Sequence, residues 1–451
     1  MPAESQAAPI TILLTGVTGF LGKVVLEELI RQRAEGAFHF DRVLLPIRSS
    51  RGQTVFERFF GKVIKSPCFS RLPSGWHNDV TVIPGDLMEP DCGVNPGSME
   101  ELTRKVTHII HCAGCVSFDS PMNVLLAENM TASLNILQLA QKCPNLKRLV
   151  ATSTAYETLP ALPRPAEQIL VEIIQGKITA DQIRHETGHP NNYTLAKCLT
   201  EHFIVQKKGV TPLTIVRPSI ISASWKYPFP GWIDSFAALA SPISAFALGG
   251  LKVLHGEPSA ILDVVPVDKV AGCLIREALF SQDSNINHET APIKFVHCVS
   301  TTKHGPSTWD IVYDTVMYFS KPENTILYKP SGWYVGTDDR LFCLYKFIFQ
   351  YLPIKLAEFT ALLTLDWDGA AKARKMLMRL QQIDTHFRYF VENTYDYHCA
   401  VEVLPDDFDK RAYMQTILEG MRQNLLLPLL TKMKPKEAVV KATVKDSCED
   451  Q

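Results

Sequence analysis

The sequence predicts an α/β fold, a doubly wound parallel sheet followed by a mainly helical C-terminal part. Three observations predict it. An apolar run from Ile10 to Leu14 passes through a glycine turn into a helical stretch that reaches Arg33. Short apolar runs then alternate with helical stretches up to about residue 300, the pattern of strands joined by crossover helices. Beyond Pro306 the alternation stops and an aromatic-rich helical texture takes over.

The first turn is Thr15-Gly16-Val17-Thr18-Gly19-Phe20-Leu21-Gly22. Gly16 permits the tight turn, Gly19 lets backbone approach a pyrophosphate, and Gly22 lets the helix pack on its strand. The helix N-terminus then offers free N–H groups to the phosphates. The spacing is G-x-x-G-x-x-G, not G-x-G-x-x-G. In the helix, Val24, Val25, Leu26, Leu29 and Ile30 form the apolar face, with Lys23, Glu27, Glu28 and Arg31 opposite.

A second strand, Arg42 to Ile47, ends in Arg48-Ser49-Ser50-Arg51. An acid near this position would bind ribose hydroxyls, and none is present. Arg48 and Arg51 instead suit a 2′-phosphate, so NADPH is the expected cofactor. The third strand, Val80 to Pro84, leads to Gly85-Asp86-Leu87, where Asp86 suits the adenine amino group with the Leu87 backbone beside it. The fourth, Thr107 to His111, ends in Cys112-Ala113-Gly114, small where backbone must pass close to the cofactor. A long helix from Asn123 to Lys142 carries Asn129, suited to holding a backbone carbonyl near the active centre. The fifth strand, Leu146 to Ala151, ends in Thr152-Ser153-Thr154-Ala155-Tyr156.

Tyr193 and Lys197 open the next helix at i, i+4 and so share a face. An ammonium beside a tyrosine stabilises phenolate and draws its pKa toward neutrality, which equips the pair to shuttle a proton. A sixth strand, Leu213 to Val216, ends in Arg217-Pro218-Ser219. The apolar, aromatic segment that follows reads as a cover over the cofactor. Asp268 opens a further helix early enough to favour its positive end, and Lys294 to Val299 reads as the last strand. Ligands of such sheets bind at the carboxyl ends of the strands, where the glycine turn, Arg48, Asp86, Ala113 and Thr154 all fall.

The expected organisation is a flexible segment 1–8, a cofactor domain 9–300, a helical domain 301–430 and a flexible tail 431–451. The apolar run from Leu341 to Leu365 is interrupted by Lys346, Pro353, Lys355 and Glu358. It reads as a buried helical pair or a membrane-surface hairpin rather than a span.

A formal net charge of −1 gives no reason to expect a nucleic-acid partner. The 11 cysteines lack paired spacing and suggest a reducing compartment. Cys112 and Cys115 form one C-x-x-C without a second pair, and His185 and His189 lack a third ligand, so no metal is expected. The N-terminus lacks the basic and apolar regions of a secretory signal, and Asn129 and Asn192, although in sequons, are expected to go unmodified. The expected location is the cytosol or the cytosolic face of a membrane such as the endoplasmic reticulum or peroxisome.

The motifs TGVTGFLGKVVLEELIR, PIR, GDL, HIIHCAGCVSFD, ENMTASLNILQLA, TSTAY, YTLAK, VRPSII, PGWID and DVVPVDKV recur here in order. Together they resemble the male-sterility-type fatty acyl-CoA reductases, an offshoot of the extended short-chain dehydrogenases with a Rossmann sheet. The resemblance covers about residues 10–300 and is loose beyond, around FTALLTLDWDG and HFRYFVENTYDY. Gly114 stands where alanine is usual, and Ala132 where glycine is usual. The resemblance implies NADPH-dependent reduction of a long-chain fatty acyl-CoA to a fatty alcohol through the aldehyde. The alternative is an aldehyde-forming enzyme, or one acting on a carrier-protein thioester or another lipid carbonyl. It implies Tyr193 as proton donor, Lys197 as its partner and holder of the nicotinamide ribose, and Thr154, or less so Ser153, on the substrate oxygen. Around the cofactor it implies Gly16, Thr18, Gly19, Phe20, Leu21, Gly22, Arg48, Arg51, Asp86, Leu87, Cys112, Ala113, Gly114, Asn129, Ser153, Tyr193, Lys197, Pro218 and Ser219. Membrane contact through residues 341–365 and homo-oligomer formation are both compatible with it.

Overall fold

A computed structural model describes residues 9–50, 52–157, 162–281, 293–330, 334–397 and 403–433. Its centre is a sheet of seven strands: β1 (Thr11–Thr15), β2 (Arg42–Ile47), β3 (Val80–Pro84), β4 (His108–His111), β5 (Arg148–Thr152), β6 (Leu213–Pro218) and β7 (Ile293–Cys298). The spatial order is β7-β6-β5-β4-β1-β2-β3, with every neighbouring pair parallel. The order reverses between β1 and β4. There Thr15 registers with His111, so the glycine turn and the Cys112–Gly114 loop leave the sheet side by side. This is the switch point at which α/β sheets open a crevice.

The Phe20–Ala34 helix departs from its expected two-faced character. Lys23, Glu27 and Glu28 are buried along with Val24, Val25 and Leu29. The Val267–Leu279 helix packs against this helix and covers the side that periodicity assigns to the polar face. Two of these three charges are held by close ion pairs. Lys23 binds Asp234, and Arg31 engages Glu28 and Glu35. Burial raises the Glu27 carboxyl to about 8 although Arg31 lies beside it.

One apolar cluster joins Tyr156, Ile220, Ile243 and Leu262 to Val312, Phe387, Phe390 and Met421, so C-terminal helices pack against the segments that follow β5 and β6. Asp268, expected at its own helix N-terminus, also reaches across. Its carboxylate accepts from Trp225 N at 2.8 Å and Lys226 N at 3.0 Å, pinning the covering segment.

The apolar run 341–365 is neither a buried pair nor a span. Helix Asp339–Lys346, a π-helical turn Phe347–Tyr351 and helix Leu352–Leu363 follow without a break, and the Trp367–Glu392 helix folds back beside them. Its apolar side chains face outward, with Leu344, Phe347, Leu356, Phe359 and Leu363 exposed. Among the described residues no helix is long and apolar enough to cross a membrane. The final Leu427–Met433 helix runs into the segment expected to be a flexible tail. Residues 1–8 and 434–451 lie outside the described residues, as does Arg51.

Candidate active site

The glycine turn is shaped by steric necessity at two positions. Gly16 has φ of +78°, and a Cβ there would stand 2.7 Å from Ala113 N. A Cβ at Gly22 would overlap the Gly16 carbonyl. The helix beginning at Phe20 has Gly19 as its N-cap, no capping side chain and no acid in its first turn. Its first N–H groups are left for an external anion. The turn thus fits a pyrophosphate, and the residues around it fit a dinucleotide.

Two cavities adjoin this turn and share Gly16, Gly19, Cys112 and Gly114. The first, about 230 Å³, is lined by Thr18, Arg48, Asp86, Leu87 and Ala113. It also holds residues not anticipated from sequence: Arg58, Met88 and Glu128. Arg48 donates to Glu128 Oε1 at 3.0 Å and lies 3.9 Å from Asp86 Oδ2. The absence of an acid after β2 therefore does not leave the arginine without acidic neighbours. Arg58 donates to the Arg48 carbonyl. Burial first, and the adjacent Arg48 second, hold its pKa below the ordinary value. Asp86 Oδ1 accepts from Met88 N at 3.1 Å, and Asn135 Nδ2 donates to Leu87 O and Glu89 O, each at 2.9 Å. Asn135 thereby fixes the Asp86 turn. A signal for Arg58 was present in sequence: Thr54 and Glu57 form a capping box that starts the Val55–Phe59 helix.

The second cavity, about 330 Å³, is lined by Phe20, Leu21, Gly22, Ser153, Thr154, Tyr193, Lys197, Pro218 and Ser219, and brings the expected catalytic groups together. Asn191 caps the Asn192–Lys207 helix through Thr194 N, which sets Tyr193 and Lys197 in its first turns. Lys197 Nζ donates to Thr152 O at 3.1 Å. Burial lowers its pKa to about 8, with Glu201 opposing. Tyr193 corrects the expectation of a pKa drawn toward neutrality. Burial pushes its phenol well above the ordinary value, while the Lys197 ammonium is turned toward β5. Thr154 Oγ1 accepts from Tyr156 N at 3.4 Å, and Ser153 Oγ is buried with no hydrogen-bond partner among the described residues.

Asn129 stands behind the cavity wall. It lies in a π-helical turn, Leu126–Thr131, within the long helix, a distortion that often marks functional positions. Its Oδ1 accepts from Cys115 N at 3.0 Å and its Nδ2 donates to Cys115 O at 3.2 Å. This extends the expected single carbonyl contact. A Cβ on Gly114 would come within 2.6 Å of Asn129 Oδ1. Thr15 and His111 brace the same loop. Thr15 Oγ1 accepts from Cys112 N and Ala113 N at 3.2 and 3.1 Å and pairs with His111 Nδ1 at 2.8 Å. The hydroxyl must therefore donate its one proton to Nδ1. Nε2 then carries the ring proton and donates to Ser133 Oγ at 2.9 Å. Ser219 Oγ donates to Asp263 Oδ1 at 2.5 Å, which ties β6 to Ser300 and Thr301.

Sequence reasoning also missed the far wall. Phe118, Tyr156, Phe387 and Phe390 line it, and the last two come from the C-terminal Trp367–Glu392 helix.

The family model described as male sterility protein matches residues 14–274. Fatty acyl-CoA reductase 2 of Mus musculus is 32% identical over 287 residues, covering 59% of this chain and 53% of the mouse protein. Fatty acyl-CoA reductase 2 of Bos taurus is 26% identical over 452 residues, covering 92% of this chain and 84% of the bovine one. The chain thus matches about half the length of the mouse relative and most of the bovine one. Among solved structures, the terminal R domain of the myxalamid pathway superposes with a TM-score of 0.61 at 19% identity, covering 92% and 91% of the two chains. A nonribosomal peptide synthetase reductase domain from Mycobacterium tuberculosis gives 0.60 at 16%, covering 94% and 93%. These likenesses show a shared fold. With the glycine cradle and the Tyr193–Lys197 helix, the family match over residues 14–274 shows that this chain belongs to the male sterility protein family.

Proposed function

We propose that the protein is an NADPH-dependent oxidoreductase that reduces a long-chain fatty acyl-CoA thioester to a fatty alcohol through the aldehyde. The observation that carries this is the convergence of Thr154, Tyr193 and Lys197 on one cavity continuous with the glycine cradle. A dinucleotide held at its pyrophosphate by the glycine turn would supply hydride from its nicotinamide. Tyr193, held protonated by burial, is suited to give a proton to the oxygen that gains charge. Thr154, whose Oγ1 already accepts from Tyr156 N, has its hydroxyl proton free for the same oxygen, with Ser153 as a second donor. Lys197, anchored on Thr152 O, is placed to support the ribose. Arg48 and Arg58 support a 2′-phosphate, since two crowded guanidiniums gain most from a dianion.

The test is incubation with palmitoyl-CoA and NADPH, counting NADPH oxidised per thiol freed. Two per thiol with alcohol as product supports the full course. One per thiol with aldehyde moves the enzyme to the aldehyde-forming class. Turnover of an acyl carrier protein thioester alone would overturn the CoA assignment.

We also propose that the enzyme works in the cytosol against an anionic membrane surface. The helical stretch 339–363 buries Phe342 and Ile354 but turns most of its apolar side chains outward. Gln350 and Glu358 are buried, Gln350 accepting from Val253 N at 2.5 Å and Glu358 pairing with Arg374 at 2.5 Å. Apart from Asp339, Arg340 and Thr360, its outward side chains are almost all apolar, and exposed Trp367 continues them. Exposed Lys372, Lys375 and Arg379 on the neighbouring helix supply the charge that suits acidic headgroups.

A further inference from the structure

We propose that His386 is a positioning residue for the reaction. Through Asp119 it holds Phe118 against Tyr193, so that the C-terminal helix completes the wall of the reaction cavity. The inference rests on the acyl-CoA reading above and adds which group behind the cavity wall sets its shape.

The segment that follows β4 serves both halves of the site. Cys112 and Gly114 border both cavities, whereas Val116 and Phe118 line the reaction cavity. Its first part is fastened from the sheet and the long helix. Thr15 holds the Cys112 and Ala113 N–H groups, and Asn129 holds both backbone groups of Cys115. Beyond Cys115 that support ends, and Val116 is 54% exposed. Among the described residues, one hydrogen bond reaches the stretch from Val116 to Asp119, and it comes from His386. The His386 Nε2 stands 2.5 Å from Asp119 Oδ1, across 267 positions of sequence. A carboxylate only accepts, so Nε2 carries a proton and donates.

The same imidazole packs on Phe118. Its ring lies 5.8 Å from the Phe118 ring between centroids. Phe390, four residues on and on the same helix face, stacks on Phe118 at 5.8 Å with 19° between the planes. Phe118 in turn lies 5.7 Å from the Tyr193 ring. Two rings of the Trp367–Glu392 helix and one bond to the neighbouring carboxylate therefore fix Phe118 beside the proton donor. The phenyl is part of the apolar cover of Tyr193, and that burial is what keeps the phenol protonated. The bond joins side chains that are 20% and 49% exposed, so it adds little to the stability of the whole chain. Its effect is local, on where Phe118 stands. An acyl group at Tyr193 meets that ring first, so the position of Phe118 bears on substrate binding. The cofactor end of the segment, held by Thr15 and Asn129, does not depend on His386.

The experiment uses the intact chain as wild type, His386→Ala, His386→Gln, Asp119→Ala and the double alanine variant. It reads kcat and KM for palmitoyl-CoA with NADPH, the Kd of NADPH, and backbone hydrogen exchange over residues 112–120. His386→Ala is expected to raise KM about fivefold, the most that a bond of this exposure carries, with the NADPH Kd unchanged. Exchange should rise over 116–120 and stay as in wild type over 112–115. Asp119→Ala should match it, and the double variant should be no worse than either single one. His386→Gln keeps a donor and should restore most of the wild-type KM. A role in stability alone would lower kcat through loss of folded enzyme and leave KM unchanged. That result, or KM and exchange both unchanged, would overturn the inference. Absence of palmitoyl-CoA turnover by wild type would instead remove the reductase reading. Exchange then decides the positioning role by itself: a rise confined to 116–120 in His386→Ala keeps it, and no rise overturns it.

Discussion

Arg48 is paired with Glu128, its guanidinium donating at 3.0 Å across 80 positions of sequence. Both side chains are substantially exposed, at 41% and 29%, and such a pair is worth about 0–1 kcal/mol. It yields readily to a stronger anion. Arg48→Ala is therefore expected to cost about 1.5–3 kcal/mol of NADPH binding, the worth of a charge-assisted bond, with NADH binding almost unchanged. Glu128→Gln removes the competing carboxylate and should tighten NADPH. Fluorescence titration of both cofactors checks this, and an unchanged NADPH preference in Arg48→Ala would leave Arg48 as a surface charge.

Lys197 is held in the fold with its pKa lowered from 10.5 to about 8. The unfolded chain thus binds more protons between pH 8 and 10.5, and stability rises with pH through that window. Below pH 8 the fold carries the whole penalty, about 3 kcal/mol. Lys197→Met removes it and loses the bond to Thr152 O, worth about 1 kcal/mol. The variant should be more stable than wild type by about 2 kcal/mol at pH 7, lose that advantage above pH 10.5, and have no useful activity. Urea unfolding at pH 7 and at pH 10.5 decides it; equal gains at both would show that burial of the ammonium is not the cause.

His111 follows the same sign at lower pH. Burial lowers its pKa from 6.5 to about 3, with Lys197 adding to the effect. The ring stays neutral while it joins Thr15 to Ser133, and stability falls as pH drops from 6.5 toward 3. A proton-resonance titration should show no His111 transition between pH 5 and 8. His111→Ala strands two buried hydroxyls and is expected to cost about 2–4 kcal/mol. Because Thr15 holds the Cys112 and Ala113 N–H groups, cofactor Kd should rise as well. Loss of stability with unchanged cofactor affinity would detach His111 from the cradle.

What was legible in the sequence is what local patterns encode. The strand–turn–helix at Gly16–Gly22, the Asp86 turn and the Tyr193–Lys197 spacing each lie within a few residues, where sterics and periodicity act directly. What was not legible depends on chain ends meeting. Glu128 reaches Arg48 only because β1, β2 and β4 lie adjacent. Phe387 and Phe390 face Tyr156 only because C-terminal helices return to the sheet. Periodicity located the apolar stripes but not what covers them. Lys23 and Glu27 are buried under the Val267–Leu279 helix, while Leu356 and Phe359 are left outside.

That outward stripe gives the last prediction. Leu356 and Phe359 are 55% and 57% exposed, so charged replacements there disturb little internal packing. Leu356→Glu with Phe359→Glu is expected to leave the melting temperature within about 2 °C of wild type. It should reduce sedimentation with phosphatidylcholine–phosphatidylserine vesicles about tenfold, because two buried side chains and some surface attraction are lost together. Added salt should weaken wild-type binding through the Lys372, Lys375 and Arg379 contribution. Equal sedimentation of variant and wild type would overturn the membrane reading. A wild-type dimer that the variant turns into a monomer, with no vesicle binding by either, would assign the same stripe to a second copy of the chain.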